Sequence, residues 1–251
     1  MQNLTLDRKK IAIIVGSGAL PEEVIDATFE NIADLFVELK SREFSGIICC
    51  GYIERPDLNF NLITNDSKII LEPILRNFEF GDEALFSAIL KVFKDNKLEP
   101  ISLKEIIPES FPEFEFLTRS KPNRTDTSDS LRGETILAQI SPADLGQSVV
   151  VRNGLCMAVE TSLGTDKMLE FLAWSANFNL NNFQGGVLYK APKYQQNPFL
   201  DLPVIGENTI RGVKKAGLNG IVIKHSSVIV LKSKATIELA NQLGIFIWSK
   251  K

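Results

Sequence analysis

The chain has 251 residues, 44% hydrophobic and 24% charged, the balance of a globular protein with apolar material for one large domain or two small ones. Its 28 basic and 31 acidic residues leave a net charge of −3 with no basic block, which excludes a role in coating nucleic acid. No apolar run approaches the ~20 residues of a membrane span, and the amino-terminal stretch carries Asp7 and too short an apolar run for a secretory signal. The expectation is a cytoplasmic protein. Three cysteines, Cys49 and Cys50 adjacent in an apolar run, read as buried thiols, and the lone His225 in a strand-like run reads as structural.

Lys10 to Val15 is a short β-branched run followed by Gly16-Ser17-Gly18, the pattern of a strand entering a glycine turn in a doubly wound sheet. Glu22 to Phe36 has apolar residues at helical spacing. The turn resembles half of a dinucleotide fingerprint, but Pro21 stands where a third glycine would pack, and the acidic ribose partner has no counterpart. A nicotinamide or flavin cofactor is therefore not expected, and the turn reads equally as a tight turn or a ligand cradle. Gly46 to Gly51 is a second buried strand, leading into Tyr52-Ile53-Glu54-Arg55-Pro56-Asp57. Charged residues past the carboxyl end of a parallel strand lie where open α/β sheets bind ligands, so Arg55 grips a phosphate or carboxylate, or else pairs with Glu54 or Asp57. Gly81 to Phe93 is an amphipathic helix with Asp82 near its start and Leu85, Phe86, Ile89 and Phe93 facing inward. Lys97 to Ile107 supplies a short strand and a turn.

Glu113 to Arg132 is polar, rich in Ser, Thr, Asn and Asp, and reads as an interdomain crossing. The expected organisation is an amino-terminal domain over 1–118, a linker over 119–132 and a carboxyl-terminal α/β domain over 133–251. The second half opens with a helix ending near Ile140. Val149–Arg152 and Leu155–Glu160 form a hairpin around Asn153-Gly154. Gly164-Thr165-Asp166 caps a helix carrying Met168, Leu169 and Leu172. A Gly185-Gly186 turn precedes a strand at Val187–Tyr189. Glu207 to Ala216 is a helix closed by Gly217, Gly220 to Leu231 a strand pair, Ser233 the cap of the last helix, and Gly244 to Trp248 a final strand.

The loop from Tyr189 to Gly206 places Lys190 and Lys193 around Pro192 and holds Asp201 between Leu200 and Leu202-Pro203. Residues before proline are pushed to extended backbone, so the loop is stiff. Two cations and a carboxylate there suit phosphate chemistry, the cations neutralising oxygens and the carboxylate holding a metal or taking a proton from water. A solvated loop with surface lysines is the other reading of the same residues.

Taken together, IIVGSGALP (13–21), GYIERPDL (51–58), GDEALFSAILKVF (81–93), the run ISPADLGQSVVVRNGLCMAVETSLGTDKML (140–169), VLYKAPKYQQNPFLDLPVIG (187–206) and AGLNGIVI (216–223) resemble the DUF1009 family in order and over nearly the whole length. That family comprises cytoplasmic UDP-2,3-diacylglucosamine pyrophosphatases of lipid A biosynthesis. The resemblance implies a Rossmann-like amino-terminal domain followed by a carboxyl-terminal α/β domain, with the substrate between them. It also implies Mg²⁺-dependent cleavage to UMP and the diacylglucosamine 1-phosphate, and a homodimer. The lipid substrate would bring the protein to the inner face of the cytoplasmic membrane. Between Pro21 and Cys49 the chain lacks roughly one strand of the family pattern, so its amino-terminal sheet is expected to be smaller.

The family's key acidic residue falls on Asp201, expected to hold the metal or orient the attacking water. Glu160 and Asp166 are candidate second metal carboxylates; Asp166 reads equally as part of a helix cap, and Glu160 as an ion-pair partner. Gly16, Ser17, Gly18, Tyr52, Arg55, Thr165, Lys190 and Lys193 are the expected substrate contacts. Phe178, Phe183 and Phe199 are candidates for an acyl groove, with core packing the plainer role for each. The competing function is a non-catalytic protein that binds a UDP-sugar or lipid on the same fold.

Overall fold

The structure, a computed structural model, describes residues 10–15, 29–50, 59–77, 82–176, 184–193, 199 and 202–251. The chain divides into two compact units, one of residues 1–106 with 197–201 and one of 107–196 with 202–251.

In the first unit β1 (Lys10–Val15), β2 (Phe44–Cys50) and β3 (Glu99–Pro100) form a parallel sheet in that order. Phe29–Asn31 make a 3-10 turn into α1 (Ile32–Ser41), which buries Ile32, Phe36 and Leu39. The helix expected to end at Phe36 runs on to Ser41, and residues 22–28 of that expectation lie outside the described ones. A helix with no counterpart in the sequence reading, α2 (Asn65–Leu75), starts where the Thr64 hydroxyl accepts from the Ser67 N–H. α3 (Asp82–Asp95) presents Leu85, Ile89 and Phe93 to the core as its periodicity predicts, with Phe86 packed at the margin. Phe36 and Phe93 meet with ring centroids 4.9 Å apart. A single turn, α4 (Leu103–Ile106), follows β3.

The second unit begins with a finding that sequence pattern hid. Residues 124–132, assigned above to a linker, are the first half of α5 (Arg124–Ile140). The Asn123 side chain accepts from the Asp126 N–H at 2.9 Å, and the Asp126 carboxylate accepts from the Asn123 N–H at 3.0 Å. The buried face of this first half is Asp126, Asp129, Ser130 and Gly133, so no apolar stripe announces it.

A five-stranded mixed sheet follows, in the order β10 (Phe246–Lys250), β8 (Gly220–Lys224), β6 (Val187–Lys190), β4 (Ser148–Arg152), β5 (Leu155–Val159). β6, β8 and β10 are parallel and β4 is antiparallel to both its neighbours. The β4–β5 hairpin turns at Asn153 and Gly154, both with positive φ, as the Asn-Gly pair predicts. Asp129 accepts both turn N–H groups, at 2.9 and 2.6 Å. Alternation divides the strands between two cores. Val149, Val151, Val187, Tyr189, Val222 and Trp248 pack on the α5 face with Leu137. Val150, Leu188, Ile221, Ile223 and Ile247 face α6 (Gly164–Ala176), α7 (Glu207–Lys215) and α8 (Ser233–Leu243), meeting Leu169, Val213 and Ala240.

The strand pair expected within Gly220–Leu231 is instead split between sheets: β9 (Ile229–Val230) pairs with β7 (Val204–Ile205), while the His225 N–H bonds the Lys250 carbonyl. Ser226, with φ of 54°, turns the chain away from β8. Ser233 is the first residue inside α8 and makes no capping bond; Lys232 occupies the cap position in left-handed backbone. Cys49 is buried as expected, but Cys156 is exposed, because β5 is a sheet edge. No described helix is long and apolar enough to cross a membrane.

Gly133 sets the distance between α5 and the sheet, since a Cβ there would lie 2.8 Å from Tyr189 Cβ. Gly133→Ala should therefore destabilise the fold by about 1–3 kcal/mol through overpacking, read as a lower urea midpoint at unchanged slope.

Candidate functional site

The parallel strands β6 and β8 end at Lys190 and Lys224, and α6 starts beside the first of these. In open α/β sheets this carboxyl end is where ligands bind, and a helix start adds the positive end of its dipole. Lys190 is opposite Ser148 in the β4–β6 register, and the Glu160 N–H bonds the Ser148 carbonyl at 2.9 Å. Glu160, Ser148 and Lys190 thus occupy one row across three neighbouring chain segments. Lys190 shares the parity of Leu188, so its side chain leaves the sheet on the α6 face.

There the ammonium donates to Thr165 Oγ1 at 2.5 Å and lies 3.8 Å from Glu160 Oε2. The Ser148 hydroxyl donates to that same carboxylate oxygen at 2.5 Å. All four residues are buried: Ser148 is 0%, Lys190 5%, Thr165 8% and Glu160 9% exposed. Taking a charged pair out of water costs several kcal/mol per ion, and apolar replacements are often as stable. Packing alone therefore gives no reason for a lysine here, which makes Lys190 a candidate functional group.

Gly146 makes the row possible. A Cβ on it would fall 2.7 Å from both the carbonyl carbon and the Cβ of Glu160, so only glycine lets the two segments approach. On the other side the Ala191 N–H bonds the Gln147 carbonyl at 3.0 Å.

Lys193, half-buried, pairs with the carboxylate of Asp144, a residue in left-handed backbone after the Ser141–Ala143 turn. Sequence reading named Lys193 but not Asp144, because an acid in a turn carries no chemical signal of its own. Asp166 is exposed in the first turn of α6. Leu202 and Pro203 lead into β7, where the Ile229 N–H bonds the Pro203 carbonyl at 2.9 Å. Asp201, Gly16, Ser17, Gly18, Tyr52 and Arg55 lie outside the described residues, as do Phe178 and Phe183. Phe199 packs against the core of the first unit.

The structure thus brings Lys190, Thr165 and Glu160 together and adds Ser148, which sequence reading missed. A serine at the head of an apolar strand has no motif around it. Among the described residues no three His, Cys, Asp or Glu side chains form a metal-holding group.

Other charges in this unit serve the fold. Arg152 donates to the carbonyls of Gly185 at 2.7 Å and Ala216 at 3.1 Å; burial pulls its pKa down and the Asp129 carboxylate opposes that. Burial, aided by Glu134, holds the Tyr189 phenol well above its ordinary range. A cavity of about 540 Å³ lined by Lys121, Asp126, Lys214, Lys215 and Asn219 opens beside Gly217 and Gly244, at the carboxyl-terminal ends of α7 and α8. The start of α5, at Asn123 and Asp126, lines it as well, so helix ends of both polarities meet there.

The profile of the family described as LpxI C-terminal domain matches residues 114–248, more than half of the chain and most of the second unit. The chain belongs to the LpxI family. It is also 28% identical, over 272 aligned positions, to the UDP-2,3-diacylglucosamine pyrophosphatase LpxI of Caulobacter vibrioides. That alignment covers 95% of this chain and 96% of the relative, so the likeness includes the first unit. The family match starts at residue 114, ahead of the expected linker, and takes in the whole of α5.

Thr165→Val removes the acceptor from a buried ammonium while keeping the side chain's shape. It should destabilise the protein by about 1.5–3 kcal/mol, and Thr165→Ser should restore most of that. Paired thermal and urea unfolding of the two variants checks this.

Proposed function

We propose that the chain hydrolyses the pyrophosphate of UDP-2,3-diacylglucosamine, with Mg²⁺, to UMP and 2,3-diacylglucosamine 1-phosphate in lipid A biosynthesis. The observation that carries this reading is the end-to-end likeness to a protein of that name. The buried Lys190 beside the start of α6 supports it, as an anion-facing charge held where α/β sheets receive ligands.

Water supplies the oxygen that bonds to one phosphorus; the P–O bond to the bridging oxygen breaks, and that oxygen leaves with the other phosphate. Negative charge builds on the non-bridging oxygens and on the leaving phosphate, so catalysis is mainly placement of positive charge. In this reading Lys190 neutralises a phosphate oxygen, and Lys193, steadied by Asp144, supplies a second cation. The start of α6 directs its dipole at the same anion. Asp201 orients the attacking water or holds the metal.

Mg²⁺ takes one or two carboxylates together with phosphate oxygens and water, so a sparse acidic set suits it. Asp201 and the exposed Asp166 fit that set better than Glu160, whose Oε2 already faces the Ser148 hydroxyl and the Lys190 ammonium. Bound there, the ion would screen the diphosphate and activate water. The reading extends to the first unit: a Rossmann-like domain whose Gly16-Ser17-Gly18 turn, Tyr52 and Arg55 contact the substrate. It further places the protein in the cytoplasm as a homodimer, reaching the inner membrane face through its lipid substrate.

The protein incubated with Mg²⁺ and UDP-2,3-diacylglucosamine should release UMP, and EDTA should stop it. Asp201→Ala should lower kcat by orders of magnitude with substrate binding largely kept. Substrate binding with no UMP from the unaltered chain would instead identify a binding protein on this fold.

A further inference from the structure

We infer that Glu160, tethered by Ser148, is a positioning residue that aims the Lys190 ammonium, and that it acts on turnover only through that lysine. The inference rests on the hydrolase reading for what Lys190 faces, and on geometry for the rest.

A lysine side chain carries a compact charge on a flexible stem, so nothing in its own chemistry fixes where the ammonium sits. In this chain its surroundings do. Thr165 Oγ1 accepts a hydrogen bond from the ammonium at 2.5 Å, which ties it to the first turn of α6. Glu160 Oε2, 3.8 Å away, is too distant for a hydrogen bond but close enough to act as a counter-ion in a buried setting. The carboxylate is in turn held by the Ser148 hydroxyl, which has no exposure at all. Ser148 sits directly across from Lys190 in the strand register. Backbone hydrogen bonds from Glu160 to Ser148 and from Ala191 to Gln147 clamp the two sides of this row to β4. The close approach at Gly146 fixes the Glu160 backbone against the segment that leads into β4. Among the described residues, two independent elements thus bear on the position of the ammonium, the sheet edge through Glu160 and the helix through Thr165.

Such a device matters for a cation that must meet charge developing in a transition state. A displacement of about 1 Å can cost ~100-fold in rate, whereas holding the ammonium in place costs nothing at the moment of reaction. The carboxylate removes no proton and touches no substrate in this scheme.

The test is a pair of double-variant cycles on the full chain, Glu160→Gln with Lys190→Met and Ser148→Ala with Lys190→Met, read in two ways. Unfolding in urea reports the counter-ion relation without any need for turnover. Glu160→Gln should lower the midpoint in the parent and lower it much less when Lys190→Met is already present; equal shifts in both backgrounds overturn the relation. Steady-state release of UMP from UDP-2,3-diacylglucosamine reports positioning. Glu160→Gln and Ser148→Ala should each lower kcat ~10- to 100-fold with KM little changed, and neither should add to the loss caused by Lys190→Met. Unchanged kcat in a folded Glu160→Gln protein, or losses that multiply with that of Lys190→Met, overturns the inference. Should the parent release no UMP while the unfolding cycle still shows coupling, the hydrolase reading and the aiming of Lys190 at a phosphate fail, and the Glu160–Lys190 counter-ion relation stands.

Discussion

A lysine ammonium kept out of water governs the second unit. Lys190 ends β6 with its charge inside the protein, and the surrounding structure is arranged so that this charge has a carboxylate and a hydroxyl within reach. The demand propagates outward. Glu160 needs Ser148, Ser148 needs the β4–β6 register that sets it opposite Lys190, and the β4–β5 hairpin, whose Asn153-Gly154 turn is held by Asp129 on α5, returns Glu160 to Ser148. The β4–β5 ladder also carries an irregularity between Val150 and Val151, after which Val149 opposes Val159 and Glu160 arrives beside Ser148. Desolvation makes each of these partners costly to lose, which couples the electrostatics of the site to the packing of the sheet.

The same arrangement explains why the head of the sheet suits an anion. Strand carboxyl ends, the start of α6 and two lysines converge there, whereas at the cavity the carboxyl-terminal ends of α7 and α8 oppose the start of α5, and Asp126 lines the same space. Membership of the LpxI family and the end-to-end likeness to a UDP-2,3-diacylglucosamine pyrophosphatase give this anion site a substrate in the proposed reading. Charge placed in advance is what pyrophosphate cleavage chiefly requires.

Much of the second unit was legible in the sequence because its signals are local. The Asn-Gly hairpin, the double-glycine turn before β6 and the Gly217 stop after α7 each follow from backbone chemistry confined to a few residues. What escaped was non-local or polar. The first half of α5 buries aspartates, a serine and a glycine, so its helical face has no apolar period and its residue types imitate a loop. β9 leaves β8 for a partner, β7, that lies 25 residues earlier in the chain (Val204 pairs with Ile229), and no propensity encodes that choice. α2 was masked by Pro73 within it and a polar opening, although Thr64 and Ser67 mark its start. At the site, Lys190, Thr165 and Glu160 were legible as chemistry-bearing types, while Ser148 and Asp144 acquired meaning only from the register and the turn that deliver them.

The central claim is that the Lys190 ammonium, held by Thr165 and Glu160, faces a substrate phosphate. A crystal structure of the chain with UMP, the diacylglucosamine 1-phosphate product and Mg²⁺ tests it most directly. The account predicts a phosphate oxygen within about 3.2 Å of Lys190 Nζ, with the contact to Thr165 preserved. Phosphates bound elsewhere, with Lys190 still enclosed by its protein partners, would contradict it.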